Sequence, residues 1–215
     1  MDDYYVPASL LSLESRVANS KFIATISPAF SVDEAKIFIK YINQQYADAT
    51  HNVPAYIIGH GSSLISHSSD NGEPSGTAGR PALSVLKGSG LGDTALVITR
   101  YFGGTKLGTG GLVKAYGDSA REIIAAVPKA IKTLVHIASL ECPYPLYEQI
   151  KRTIRKYQGE IKSEDFTDKV SLIYSIPVKS SNILLNSISE LSNGRIHPKI
   201  IKSDQVSLVP SGNYS

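Results

Sequence analysis

The sequence predicts a mixed α+β protein built as two domains, and three observations carry that expectation. At 215 residues the chain is long for one domain and comfortable for two. Short β-prone runs alternate with helix-period stretches along its length. The segment 133–205 has a self-contained order of its own, strand-helix-strand-strand-helix-strand. Residues 1–128 are read as the first domain, 129–208 as the second and 209–215 as a tail.

Residues 1–20 carry little periodicity and read as a mostly irregular lead-in. Lys21–Ile26 (KFIATI) is short and alternating, so it reads as a strand. Ser31 opens a helix. With Glu34 three residues on it makes a capping box, each side chain satisfying the other's orphan backbone donor. Ala35, Phe38, Ile39, Ile42 and Tyr46 share one face, and the helix should end near Ala47. His51-Asn52-Val53-Pro54 reads as a turn into a strand at Ala55–Gly59, and Leu64–Ser68 completes a hairpin. A glycine-rich loop, Asp70–Gly79, then leads through Pro81 into a short helix stopped by Gly88. Thr94–Thr99 is almost wholly apolar, which predicts burial on both faces. A second glycine-rich loop, Gly103–Gly111, runs into a helix over Leu112–Ala126. Its inward stripe is Leu112, Ala115, Tyr116, Ser119, Ala120 and Ile123.

In the second domain Thr133–Leu140 reads as a strand. Tyr144–Tyr157 is an amphipathic helix with Leu146, Ile150 and Ile154 inward and Lys151, Arg152, Arg155 and Lys156 mostly outward. Glu160–Phe166 and Val170–Ile176 alternate as strands about a turn at Thr167-Asp168-Lys169. Ser181–Leu191 is a helix stopped by Asn193-Gly194, and Lys199–Gln205 is the last strand. That order is a ferredoxin-like split βαβ. Residues from Leu208 onward are expected to be disordered.

Composition bounds the function. No apolar run reaches the roughly 18–20 residues of a membrane span, so no membrane partner is expected. The N-terminus begins with acids and lacks the basic start of a signal peptide. Cys142 is the only cysteine, which rules out an intrachain disulfide and fits a reducing cytosol. The net charge is only +3. It is unevenly spread: 10 Lys and Arg stand against 11 Asp and Glu through Pro128, then 12 against 8. The basic second part reads either as a nucleic-acid footprint or as a solvated surface.

The unusual chemistry lies between Asp70 and Gly117, which hold twelve of the seventeen glycines. The second loop resembles a phosphate cradle. Gly108, Gly110 and Gly111 expose backbone N–H groups before a helix N-terminus, and Lys106 supplies a cation. Arg80, Arg100 and Lys114 would add positive charge. It fits neither the P-loop nor the dinucleotide fingerprint, and the competing reading is a tight connection that needs glycine for sterics alone. In the first loop Asp70 and Glu73 would serve as an acid–base or metal-holding pair, or as anchors for Arg80 or Arg100. His51, His60 and His67 match no zinc spacing, no serine sits in a nucleophile elbow, and no cofactor or metal is expected. Tyr101-Phe102 beside the second loop would stack on bases or plug the end of a core.

Two motifs carry a resemblance. HSSDNGEPSGTAGRPAL at 67–83 and VITRYFGGTKLGTGGLVKAYGDSA at 97–120 are together similar to the IMPACT family, in its bacterial YigZ-like branch. The match extends to KFIA near residue 21 and HNVPAYIIG at 51–59, covering roughly 16–127. Asn71 stands where many relatives carry a second aspartate, which weakens a metal reading. The resemblance implies a fold like domain 2 of ribosomal protein S5, followed by a ferredoxin-like domain similar to the last domain of elongation factor G. The same pairing occurs in translation factors that contact ribosomal RNA. Eukaryotic relatives regulate translation through an additional N-terminal domain, which is not carried over.

The resulting expectation is a non-enzymatic cytoplasmic protein that binds RNA or a ribosome-associated partner and modulates translation. Arg80, Arg100, Lys106 and Lys114 would contact phosphates, extended by Lys151, Arg152, Arg155 and Lys156. The alternatives are an enzyme acting on a phosphorylated small molecule or nucleotide through the glycine-rich loops, and a protein-interaction module.

Overall fold

The structure is a computed structural model and describes residues 3–210. Two compact units divide the chain, one spanning Tyr4–Ala130 and the other Ile131 to the C-terminus with the first three residues. Both mix helices with antiparallel sheets, the two-domain α+β class expected from the sequence.

The first unit contains β1 (Tyr4–Pro7), β2 (Leu11–Val17), β3 (Ser20–Pro28), α1 (Val32–Gln45), β4 (His51–Ile58), β5 (Ile65–Ser68), α2 (Gly79–Gly88), β6 (Thr94–Tyr101) and α3 (Gly108–Ala126). Its sheet has the order β2-β3-β6-β4-β5, every pairing antiparallel. β6 is central and almost completely buried, as its apolar run requires. On one face Leu96 and Ile98 pack against α2 (Ala82, Leu86) and α3 (Leu112, Ala115, Tyr116, Ala120, Ile123). On the other, Ala95 and Val97 meet Ala35, Phe38 and Ile42 of α1.

Several local expectations change. Residues 1–20 are not an irregular lead-in, because β1 and β2 occupy most of them. β2 alternates half-buried Leu11, Leu13, Ser15 and Val17 with exposed residues, and as an edge strand it shows only a weak hydrophobic signal. His51–Pro54 is strand, not turn. The Pro54 carbonyl accepts from the Ser69 N–H at 3.2 Å, so the N–H it lacks would also have pointed away from β6 and costs no ladder bond there. The capping box is open on one side. Ser31 Oγ accepts from Glu34 N–H at 3.1 Å, but the Glu34 carboxylate reaches back to Phe30 N–H, at 2.8 Å. α3 begins at Gly108, four residues before the expected start.

In the second unit β7 (Lys129–Cys142), α4 (Tyr144–Lys156), β8 (Glu160–Phe166), β9 (Val170–Pro177), α5 (Val178–Leu191) and β10 (Lys199–Pro210) follow in the expected order. β10 pairs β7, which pairs β9, which pairs β8. This interleaved order is that of a split βαβ. Ile150 and Ile154 of α4 with Leu184 and Ile188 of α5 cover Leu140, Leu172, Tyr174 and Ile176. Residues 208–210 belong to β10 rather than to a tail, and 211–215 lie outside the described residues.

Two glycines of the second loop should respond oppositely to alanine. A Cβ on Gly103 would collide with the Asn19 carbonyl, whereas Gly110 sits in α3 with open space around it. Gly110→Ala should raise stability by roughly 0.5–1 kcal/mol in urea denaturation, through helix propensity. Gly103→Ala should lower the midpoint sharply, because backbone must move to admit the methyl.

Candidate functional site

Sheet topology brings the two glycine-rich loops together. β5 and β6 are each antiparallel to β4, so they run parallel and end at the same edge of the sheet. α2 and α3, which follow them, therefore start at that edge and return along one face. The first residues of β3 and β4 also lie there, since Lys21 pairs with Tyr101 and His51 with Arg100.

Asp70 organises the first loop. Its carboxylate accepts backbone N–H groups from Gly76 at 2.7 Å, Gly79 at 2.8 Å and Ala78 at 3.1 Å. Burial raises its pKa, but these donors and the Arg80 charge outweigh that and hold it below the ordinary 3.8. Asp70 thus occupies the α2 N-terminus, where an external anion would otherwise bind. A Cβ on Gly79 would come within 2.6 Å of the Ser69 carbonyl, so the loop's last glycine permits a close backbone crossing.

Glu73 points the other way, into the interior. Its Oε1 accepts from Arg100 Nη1 at 2.7 Å and from the Tyr116 hydroxyl at 2.8 Å. Arg100 Nη2 donates to Ser20 Oγ at 3.3 Å. The His51 Nε2 lies 3.8 Å from Glu73 Oε2, while Nδ1 donates to the Asn71 carbonyl at 2.8 Å. Burial first, then the Glu73 charge and hydrogen bond, push the Tyr116 phenol far upward, so it stays a donor. Asp70 and Glu73 are therefore committed to separate partners and do not form a shared acid–base or metal site.

This geometry corrects the role expected of Arg100. It is only 5% exposed and bound to Glu73, so it lies beneath the surface and does not meet an external phosphate. Arg80, Lys106 and Lys114, the other cations nominated in the first domain, stay exposed. Arg80 stands at the start of α2, and Lys106 lies in the second loop without an ion pair among the described residues. Lys114 is exposed but paired with Asp118 at 2.6 Å. Gly108, Gly110 and Gly111 form the first turn of α3 instead of a loop, and its cap residue, Leu107, makes no side-chain cap hydrogen bond. Phe102 is 46% exposed, so it is not a core plug, and its ring centre lies 5.5 Å from the buried Arg100 guanidinium. Tyr101 is tied down by Asp48, at 2.8 Å from its hydroxyl, and by Lys21 over its ring.

In the second unit, Lys151 is bound to Glu164 at 2.7 Å and to the Tyr147 hydroxyl at 2.8 Å. Arg152, Arg155 and Lys156 are exposed on α4. His51, Tyr116 and Ser20 escaped the sequence reading as partners of the Glu73–Arg100 pair. A tyrosine in an inward helical stripe was the available signal, because a buried hydroxyl needs a partner. His60 stacks instead on Tyr4, and His67 lies tilted against Tyr56.

Comparison with known proteins agrees with this architecture. Residues 18–124 match the Impact N-terminal domain and residues 140–195 match a domain of unknown function, DUF1949. An IMPACT family member from Haemophilus influenzae is 36% identical over 197 residues, covering 91% of this chain and 96% of its own. The family member YigZ from Escherichia coli is 32% identical over 197 residues, 91% of this chain and 97% of that protein. A crystal structure described as that of a hypothetical protein aligns with a TM-score of 0.60 and 31% identity, over 94% of this chain and 98% of the other. The class is thus a two-domain protein headed by an Impact N-terminal domain. The chain belongs to the IMPACT family and is YigZ-like.

Two variants test the architecture of the site. Glu73→Ala strands the buried Arg100 charge and should cost about 3–5 kcal/mol, much of it recovered in Glu73→Leu/Arg100→Met, as read by urea denaturation. Asp70 carries a depressed pKa, so its contribution is full above 3.8 and is lost as pH falls through the lower folded value. Asp70→Asn should therefore be less stable near neutral pH and lose less stability than the parent on acidification below about pH 4.

Proposed function

We propose that the sheet end carrying the two glycine-rich loops binds the phosphate backbone of single-stranded RNA, and that the protein acts in translation as a binding factor. One observation carries the reading: exposed Lys106 and Phe102 flank an α3 first turn that no side chain among the described residues caps, with exposed Arg80 at the neighbouring helix start. Three uses follow from that chemistry. The backbone N–H groups of Gly108, Gly110 and Gly111 donate to a phosphate at the positive end of the helix. Lys106 and Arg80 supply the point charges, and Phe102 offers a face on which an unpaired base stacks.

The pairing of these two domain types in translation factors supports the same reading, as fold-level analogy. An enzymatic reading is less well served. Asp70 spends its carboxylate on three backbone N–H groups and Glu73 on Arg100 and Tyr116. Neither is available for proton transfer.

Titration of fluorescent single-stranded poly(U) at several salt concentrations tests the proposal. Binding should weaken linearly in log salt, and Lys106→Ala or Arg80→Ala should lower affinity and flatten the slope by about 0.7 each. Phe102→Ala should weaken binding with the slope unchanged. No binding at low salt would remove the proposal.

A further inference from the structure

The second unit holds a basic cleft that none of the residues nominated above touches. It has a volume of about 540 Å³, within the roughly 300–1,000 Å³ of small-ligand sites. Lys169, Arg195, His197 and Lys199 line it, with Glu141 as its one acidic residue. None of Lys169, Arg195 and Lys199 has an ion pair among the described residues. Lys151, Lys162 and Lys179 of the same unit each hold a carboxylate within 2.7 Å. Three permanent cations have thus been gathered at one place, none of them in an ion pair among the described residues, against the single carboxylate of Glu141.

The segment that presents them is held in place. Asn193 and Gly194 take positive φ (47° and 74°) and end α5, with the Gly194 N–H donating to the Ser189 carbonyl at 2.7 Å. Ser192 Oγ accepts the Ile196 N–H at 3.1 Å, and Ile196 is buried in the core of the unit. With Ile196 anchored inward, Arg195, His197 and Lys199 all stay exposed. Lys169 arrives from the β8–β9 turn. The floor comes from the solvent side of the sheet. Leu140 and Leu172 pair across β7 and β9 and face the core, so the flanking pairs Ser139–Ile173 and Glu141–Ser171 face outward. Two hydroxyls, one apolar side chain and the Glu141 carboxylate therefore lie beneath the cations.

We propose that this cleft binds a phosphorylated small molecule, its phosphate groups held by Arg195, Lys199 and Lys169 and by the hydroxyls of Ser139 and Ser171. Charge complementarity selects a compact polyanion, and arginine with lysine is the usual phosphate pair. No Phe, Tyr or Trp lines the cleft and His197 is its single ring, so it lacks the row of aromatic faces by which single-stranded RNA is gripped. The site is independent of the RNA surface proposed above, and the two fail separately.

Inorganic pyrophosphate is the probe, titrated calorimetrically into the full chain. Saturable binding should fall at least tenfold in Arg195→Ala/Lys199→Ala and stay unchanged in Lys87→Ala, an exposed cation that belongs to neither site. The substituted residues are exposed, so the variants fold. The His197 ring signals should shift in the parent as pyrophosphate is added. Unchanged affinity in Arg195→Ala/Lys199→Ala, or a His197 signal that does not move, overturns the assignment. So does poly(U) binding that depends on Arg195 and Lys199 where pyrophosphate does not bind.

Discussion

The buried Glu73–Arg100 pair is the contact on which the rest of the sheet end depends. Glu73 belongs to the first glycine-rich loop and Arg100 to the end of the central strand, and both are nearly solvent-free. A charge in that position is costly unless partners satisfy it. Here the partners come from separate segments: Tyr116 from α3, His51 from the start of β4 and Ser20 from the start of β3. The pair gains specificity more than strength. It fixes where the first loop lies relative to β6, and so where the α2 and α3 first turns stand.

The two helix starts share an edge but differ in chemistry. Asp70 fills the α2 start with the protein's own carboxylate. The α3 start has Leu107 at its cap position and glycines behind it, with no side chain in that role. One start is therefore internally neutralised, and the other keeps its donors toward solvent. Adjacent Lys106 and Phe102 then give that open start a cation and an aromatic face.

Much of this could be read from the amino-acid sequence. The alternation of Glu160–Phe166 and Val170–Ile176 and the Asn193-Gly194 stop reveal the second unit, because local pattern and fold agree there. The motifs at 67–83 and 97–120 mark the family. Illegible elements share a physical cause, which is dependence on distant partners. β2 is half-exposed, and its strand character comes from pairing β3. Arg100 and Lys106 are both cations beside glycines, and only the tertiary location of Glu73 separates the buried one from the exposed one. The cleft around Arg195 went unnoticed for the same reason, since Lys169 joins it only through the antiparallel return of β9.

The separation of those partners along the chain also bears on how the molecule is made. Ser20 and Arg100 are 80 positions apart, Glu73 and Tyr116 are 43 apart, and Glu73 and Arg100 are 27 apart. Loop-closure entropy must be met before any of these contacts forms, so the sheet end assembles after the local hairpins and helices. Once closed, it opens only when several segments part together. Amide hydrogens of the Gly76–Gly79 turn, held by Asp70 beside this cluster, should then exchange with the global unfolding of the unit rather than with the fraying usual for a loop. A glycine-rich loop here should then show the exchange behaviour of a core strand.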